Sequence, residues 1–135
     1  MTHNNAHVLL IISDRTTASI TEFRLRLLGY DVQLIDRGED LSQAVGRQQP
    51  NLAIVELALP GMTGFEAIAR LRREASPDLP VIALSPDASH DSLRQASMAG
   101  AAEYVLMPFD PATMEHKIEN LLGMATSLTL TAGGV

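Results

Sequence analysis

Five short apolar runs, separated by longer stretches of helical periodicity, restrict what this chain can fold into more than any other property of its sequence. The runs are Val8 to Ile12, Val32 to Ile35, Leu52 to Val55, Val81 to Leu84 and Glu103 to Leu106, each the length of a strand. Between them, apolar residues recur at three- and four-residue spacing, as in helices that bury one face. Residues 16 to 28 place Ile20, Phe23, Leu27 and Leu28 on one stripe, and Gly29 suits a left-handed stop. Residues 39 to 48 carry Leu41, Ala44 and Val45, and residues 64 to 74 carry Phe65, Ile68 and Leu71. Residues 88 to 99 are weaker, with Leu93 and Ala96, and end at Gly100, while residues 111 to 122 align Met114, Ile118, Leu121 and Leu122.

Strict alternation of strand and helix implies parallel strands joined by crossover helices. The first and third runs are almost unbroken apolar sequence, which suits strands covered on both faces. The predicted architecture is therefore α/β: a doubly wound five-stranded parallel sheet flanked by five helices. The second run, VQLI, alternates more than the others and suits an edge. In such open sheets ligands meet the loops that leave the carboxyl ends of the strands. Those loops are where chemistry is to be sought.

Composition narrows the function classes. A length of 135 residues fits one core, divided here as an N-terminal extension (1–6), a domain (7–123), and a small, polar stretch (124–135) that reads as a flexible tail or linker start. The net charge of -6 argues against direct nucleic-acid or membrane-surface binding, since both require a basic patch. The absence of cysteine excludes disulfides, thiolate metal sites and Cys nucleophiles. No apolar run reaches the roughly 20 residues of a membrane span, and the start MTHNNAH is unlike a signal peptide, so a cytoplasmic location is expected. The four histidines show no metal-ligand spacing, and His3 and His7 fall at the N-terminal extension.

Directly after the predicted strands come Ser13 and Asp14, then Glu56, then Ser85, then Met107 followed by Pro108 and Phe109. Each has a plain structural use as well: Asp14 as a helix N-cap, Ser85 before Pro86 in a turn, Tyr104 as a half-buried strand aromatic, Met107 as a gap-filler. Together with the PGMTG turn after the third strand, Tyr104 and the Pro108-Phe109 pair, they make residues 7 to 122 resemble the receiver domain of two-component response regulators. The resemblance implies a flavodoxin-like sheet with a phosphorylation site on its rim. Two acids after the first strand would hold Mg2+, and an aspartate ending the third would accept the phosphoryl group. A Thr or Ser ending the fourth strand and a lysine ending the fifth would bind its oxygens. An aromatic on the fifth strand would report the state, and the bond before Pro108 would be cis.

This chain departs from that pattern at three positions. Ser13 stands for the first acid, Glu56 for the phosphoacceptor aspartate and Met107 for the lysine, while Asp14, Ser85 and Tyr104 match. With one acid gone, Asp14 would be left with a weak Mg2+ site, and no other cofactor is expected. Glu56 carries a carboxylate about 1 to 1.5 Å further into the site than an aspartate, and in-line attack is sensitive to displacement on that scale. A longer acid imitating a phosphorylated side chain would find no lysine to pull on. The expectation is an atypical, phosphorylation-independent receiver with no catalysis of its own. It would act through a face containing His90, Arg94, Tyr104 and Lys117 on a sensor kinase, an output protein or another copy of the domain. The alternatives are a conventional phospho-accepting receiver using a retained acid, and a flavodoxin-like binder whose Ser13 to Ser19 segment cradles a cofactor phosphate.

Overall fold

The computed structural model describes residues 6–134, with side chains described for residues 6–123. It forms one parallel sheet in the order β2-β1-β3-β4-β5. The strands are β1 (His7–Ile11), β2 (Asp31–Ile35), β3 (Leu52–Glu56), β4 (Val81–Ser85) and β5 (Glu103–Leu106). The helices are α1 (Arg15–Leu27), α2 (Leu41–Arg47, preceded by a 3-10 turn at Gly38–Asp40), α3 (Gly64–Glu74), α4 (His90–Ala99) and α5 (Pro111–Gly134). Each strand lies within a residue or so of its predicted bounds. The alternating run VQLI is indeed at an edge. Helix α5 begins as expected but carries on past 122 to Gly134, through the stretch whose composition suggests a tail or linker. The N-terminal extension lies outside the described residues except for its last member, Ala6; His7, placed at its edge, is instead the buried first residue of β1.

Side-chain alternation divides the core in two. Ala53 and Val55 of β3 join Leu9, Ile11, Val81 and Ala83 under α2, α3 and α4. Leu52 and Ile54 join Val8, Leu10, Ile82 and Leu84 under α1 and α5. All four apolar residues of β3 are fully buried, and truncating any of the large ones would cost about 2 to 5 kcal/mol. Glu56 shares parity with Leu52 and Ile54, so it leaves the sheet on the side of α1.

Helix α1 overturns one expectation. Its buried residues are Ala18, Thr21 and Leu25, while Ile20, Phe23 and Leu27 of the predicted stripe are 50%, 63% and 70% exposed. The helix has two apolar faces, and its phase is set at both ends. Asp14 accepts the first-turn amide of Thr17, and the amide of Tyr30 returns to the Leu25 carbonyl. The smaller face lies against the sheet and the larger side chains face outward. The charged segment Leu71 to Pro80 reads from sequence as a solvated helix end and loop, and a second difference concerns its Arg72. Its guanidinium is half-buried and donates to the carbonyls of Leu79 and Gly100, tying α3 to the start of β4 and the end of α4. Burial holds its pKa below the ordinary arginine value.

The PGMTG turn has a physical explanation residue by residue. Gly61 adopts φ 76°, a left-handed conformation that glycine reaches without strain. Thr63 caps α3 in a capping box with Glu66. Gly64 then passes so close to the end of β3 that a Cβ would collide with the Leu57 backbone and stand 2.8 Å from the Glu56 carbonyl oxygen. Gly64→Ala is therefore expected to destabilise the domain by about 1 to 3 kcal/mol, read as a lower urea midpoint; an unchanged midpoint would contradict the close approach. A pH prediction follows from Tyr30, whose buried phenol, near Glu119 and Glu115, has its pKa pushed up to about 12. Between pH 10 and 12 the unfolded chain loses this proton before the folded one does. Stability is thus fully present below pH 10 and falls as pH rises to 12, and Tyr30→Phe should flatten that alkaline decline in a thermal-melt series.

Candidate functional site at the carboxyl rim

Strand order brings the predicted residues together. Because β1 lies beside β3, the loop carrying Ser13 and Asp14 leaves the sheet next to Glu56. Because β4 and β5 follow, Glu56 is level with Leu84, Ser85 is one step beyond, and Ser85 pairs in register with Leu106. Met107 comes next, and its amide donates to the Ser85 carbonyl at 2.9 Å. The rim therefore reads Asp14, Ser13, Glu56, Ser85, Met107 across the sheet.

Glu56 is only 8% exposed, so its carboxylate needs donors to offset lost hydration. Ser13 supplies two. Its amide donates to Glu56 Oε1 at 2.6 Å and its hydroxyl donates to the same oxygen at 2.8 Å. Asp14, which is exposed, behaves as a helix cap: Oδ2 accepts from the Thr17 amide at 2.9 Å and from the Thr17 hydroxyl at 2.5 Å. Those two hydrogen bonds, the hydroxyl first, hold its carboxyl below the usual aspartate range.

The remaining rim residues have partners or packing of their own. Ser85 is buried, and its hydroxyl accepts from the Asp87 amide at 3.1 Å, closing the turn through Pro86. Met107 is half-buried and packs with the α1/α5 side of the core, and the Met107–Pro108 bond is cis as the resemblance implied. The chain's one lysine, Lys117, is on α5 and bonds Glu103 at 2.8 Å, so no lysine stands at the rim. Tyr104 is half-buried; its hydroxyl donates to the Asp87 carbonyl at 2.6 Å and pairs with the Ser92 hydroxyl at 2.8 Å. Sequence reasoning identified Tyr104 but not Ser92 or Asp87, the residues that fasten it.

The fit to a divalent cation is poor. Such an ion wants several oxygen ligands in a regular array. Among the described residues no group of three His, Cys, Asp or Glu side chains could hold one. Asp14 is committed to Thr17 and Glu56 to Ser13, each through one oxygen that already has two donors.

On the expected interaction face, His90 opens α4 and is exposed, Arg94 is exposed and approaches Asp91 at 3.4 Å, and Lys117 is paired with Glu103. Helix α4 buries only Ala96, leaving Leu93 46% and Met98 80% exposed. Its other fasteners are the Ser92–Tyr104 pair and Arg72 at its end. Among the described residues no helix is long and apolar enough to cross a membrane.

Comparison with known proteins identifies the family of this fold. A family model described as response regulator receiver domain matches residues 8–119. The chain is 30% identical over 115 residues to the probable transcriptional regulator ycf27 of Porphyridium aerugineum, covering 85% of this chain and 47% of that protein. It is 32% identical over 116 residues to the DNA-binding dual master transcriptional regulator RpaA of Synechocystis, covering 85% and 48%. The chain thus spans about half the length of these curated relatives. Among solved structures, a putative response regulator of Chloroflexus aurantiacus superposes with TM-score 0.81 at 28% identity, covering 87% of this chain and 98% of that one. The receiver domain of sensor histidine kinase PA1611 of Pseudomonas aeruginosa, which has a magnesium ion coordinated in its active-site cleft, gives 0.79 at 26% identity, covering 87% and 98%.

The fastening of Tyr104 can be tested directly. Tyr104→Phe should lower stability by about 1 kcal/mol and speed hydrogen exchange in His90–Ala99 more than in β1 or β3. Equal exchange in wild type and variant would show that α4 does not depend on this hydroxyl.

Proposed function

Because this chain belongs to the response regulator receiver family, we propose that it is an atypical receiver, a phosphorylation-independent interaction module in two-component signalling with no catalysis of its own. One observation carries the proposal: the acid in the phosphoacceptor position is Glu56, and its Oε1 already accepts both the amide and the hydroxyl of Ser13. Phosphoryl transfer requires a carboxylate oxygen in line with the donor and cations to neutralise the transferring oxygens. Here the carboxylate is extended by a methylene and tied sideways to Ser13. Met107 supplies no charge where a lysine would.

The departures support one another. Asp14 is a cap, Ser85 is closed into its turn, and Tyr104 is bonded to Asp87 and Ser92. A negative charge at Glu56 therefore has no lysine to draw inward, which weighs against its acting as a mimic of a phosphorylated side chain. A flavin-type phosphate site at Ser13 to Ser19 is disfavoured too, because the Asp14 carboxylate already takes the first-turn donors and would repel a phosphate there.

The surface left for function is that of α4, β5 and α5, with His90, Arg94, Tyr104 and Lys117, presented to a sensor kinase, an output protein or a second copy in the cytoplasm. DNA binding belongs to the Synechocystis relative as a whole protein; the acidic balance of this chain, -6, speaks against direct nucleic-acid contact by this domain. Intact mass after incubation with Mg2+ and acetyl phosphate should be unchanged. A stable gain of one phosphoryl group mapped to Glu56 or a neighbour would overturn the proposal in favour of a working phospho-acceptor.

A further inference from the structure

We infer that Ser13 and Glu56 form a metal-free clasp, in which Ser13 is the positioning residue that holds the β1–α1 loop against the end of β3 and makes the rim indifferent to divalent cations. The argument begins with reach. Ile11 pairs with Val55, so Ile12 is level with Glu56 and Ser13 is one residue above it. A side chain at the last position of β3 has to project beyond the strand end to meet the Ser13 amide, and glutamate has the length to do so. Both donors converge on one oxygen at 2.6 and 2.8 Å, within hydrogen-bond distance.

Two carboxylates on adjoining elements and a structural neighbour that holds magnesium would suggest a cation between them, but these residues do not fit one. Asp14 Oδ2 is taken by Thr17, Glu56 Oε1 by Ser13, and the described residues hold no third acidic or imidazole ligand. What joins the two loops is the hydrogen-bonded pair itself. Serine fits this role where an acid would not: a carboxylate at position 13 could not donate to Glu56 and would repel it. The two replacements, a donor at 13 and a longer acceptor at 56, complete one contact.

The inference adds to the proposed function without being equivalent to it. Phosphodonor mass spectrometry tests phosphorylation independence, whereas thermal and NMR measurements on the full chain test the clasp. Ser13→Ala should lower Tm by roughly 5 °C, and Ser13→Thr, which keeps the hydroxyl, should restore most of it. In the Glu56→Asp background, where the acid is too short to reach, Ser13→Ala should change Tm by less than half as much. The Ser13 amide proton should resonate downfield in the wild type and move upfield in Glu56→Asp. Millimolar Mg2+ should leave the wild-type Tm and rim amides unmoved, and should raise Tm and shift those amides in the double variant Ser13→Asp/Glu56→Asp. Strictly additive Tm changes, an unmoved Ser13 amide in Glu56→Asp, or a wild-type response to Mg2+ would each overturn the clasp.

Discussion

Strand β3 is excluded from water on both faces and hydrogen-bonded along both edges, and that constraint organises the molecule. Its four apolar residues are wholly buried, so the strand has one place in the sheet and one register with β1 and β4. A chain held this firmly delivers its last residue to a fixed point. That residue is an acid, flanked by the loop from β1 on one side and the turn from β4 on the other. The helix that follows packs so closely on the strand end that Gly64 has no room for a side chain, so the loop between them is confined as well.

The polar groups of the rim are bonded close to home. Each satisfies itself from its own loop or the next: Glu56 from Ser13, Asp14 from Thr17, Ser85 from Asp87, Tyr104 from Asp87 and Ser92. The family arrangement shares its acids through a metal and a lysine. At Glu56 the donors are the amide and hydroxyl of Ser13, while Lys117 is paired with Glu103.

Much of this was legible before any coordinates. Unbroken apolar runs located the central strands, VQLI located the edge, and spacing located the rim residues one after another. Several things were not legible, for particular reasons. Helix α1 has two apolar faces, and periodicity cannot tell which one a sheet accepts; the Asp14 cap and the Tyr30 return bond decide it. Arg72 looked like surface charge because its acceptors, the carbonyls of Leu79 and Gly100, are backbone atoms with no residue signature. Glu56 and Ser13 were each noticed as departures, but the contact between them depends on a rotamer and a register that sequence does not display. Tyr104 was found by position, and its partners by geometry alone.

The hydrogen bonds between Ser13 and Glu56 have a consequence for how such a sequence can change. They link positions 43 residues apart, so neither can drift without regard to the other. Losing the serine first strands a buried carboxylate with a single donor; shortening the acid first leaves an amide and a hydroxyl facing a gap. Either single step leads downhill in stability before a second substitution recovers it. A path from the Ser13–Glu56 pair to a pair of aspartates therefore crosses a valley in stability.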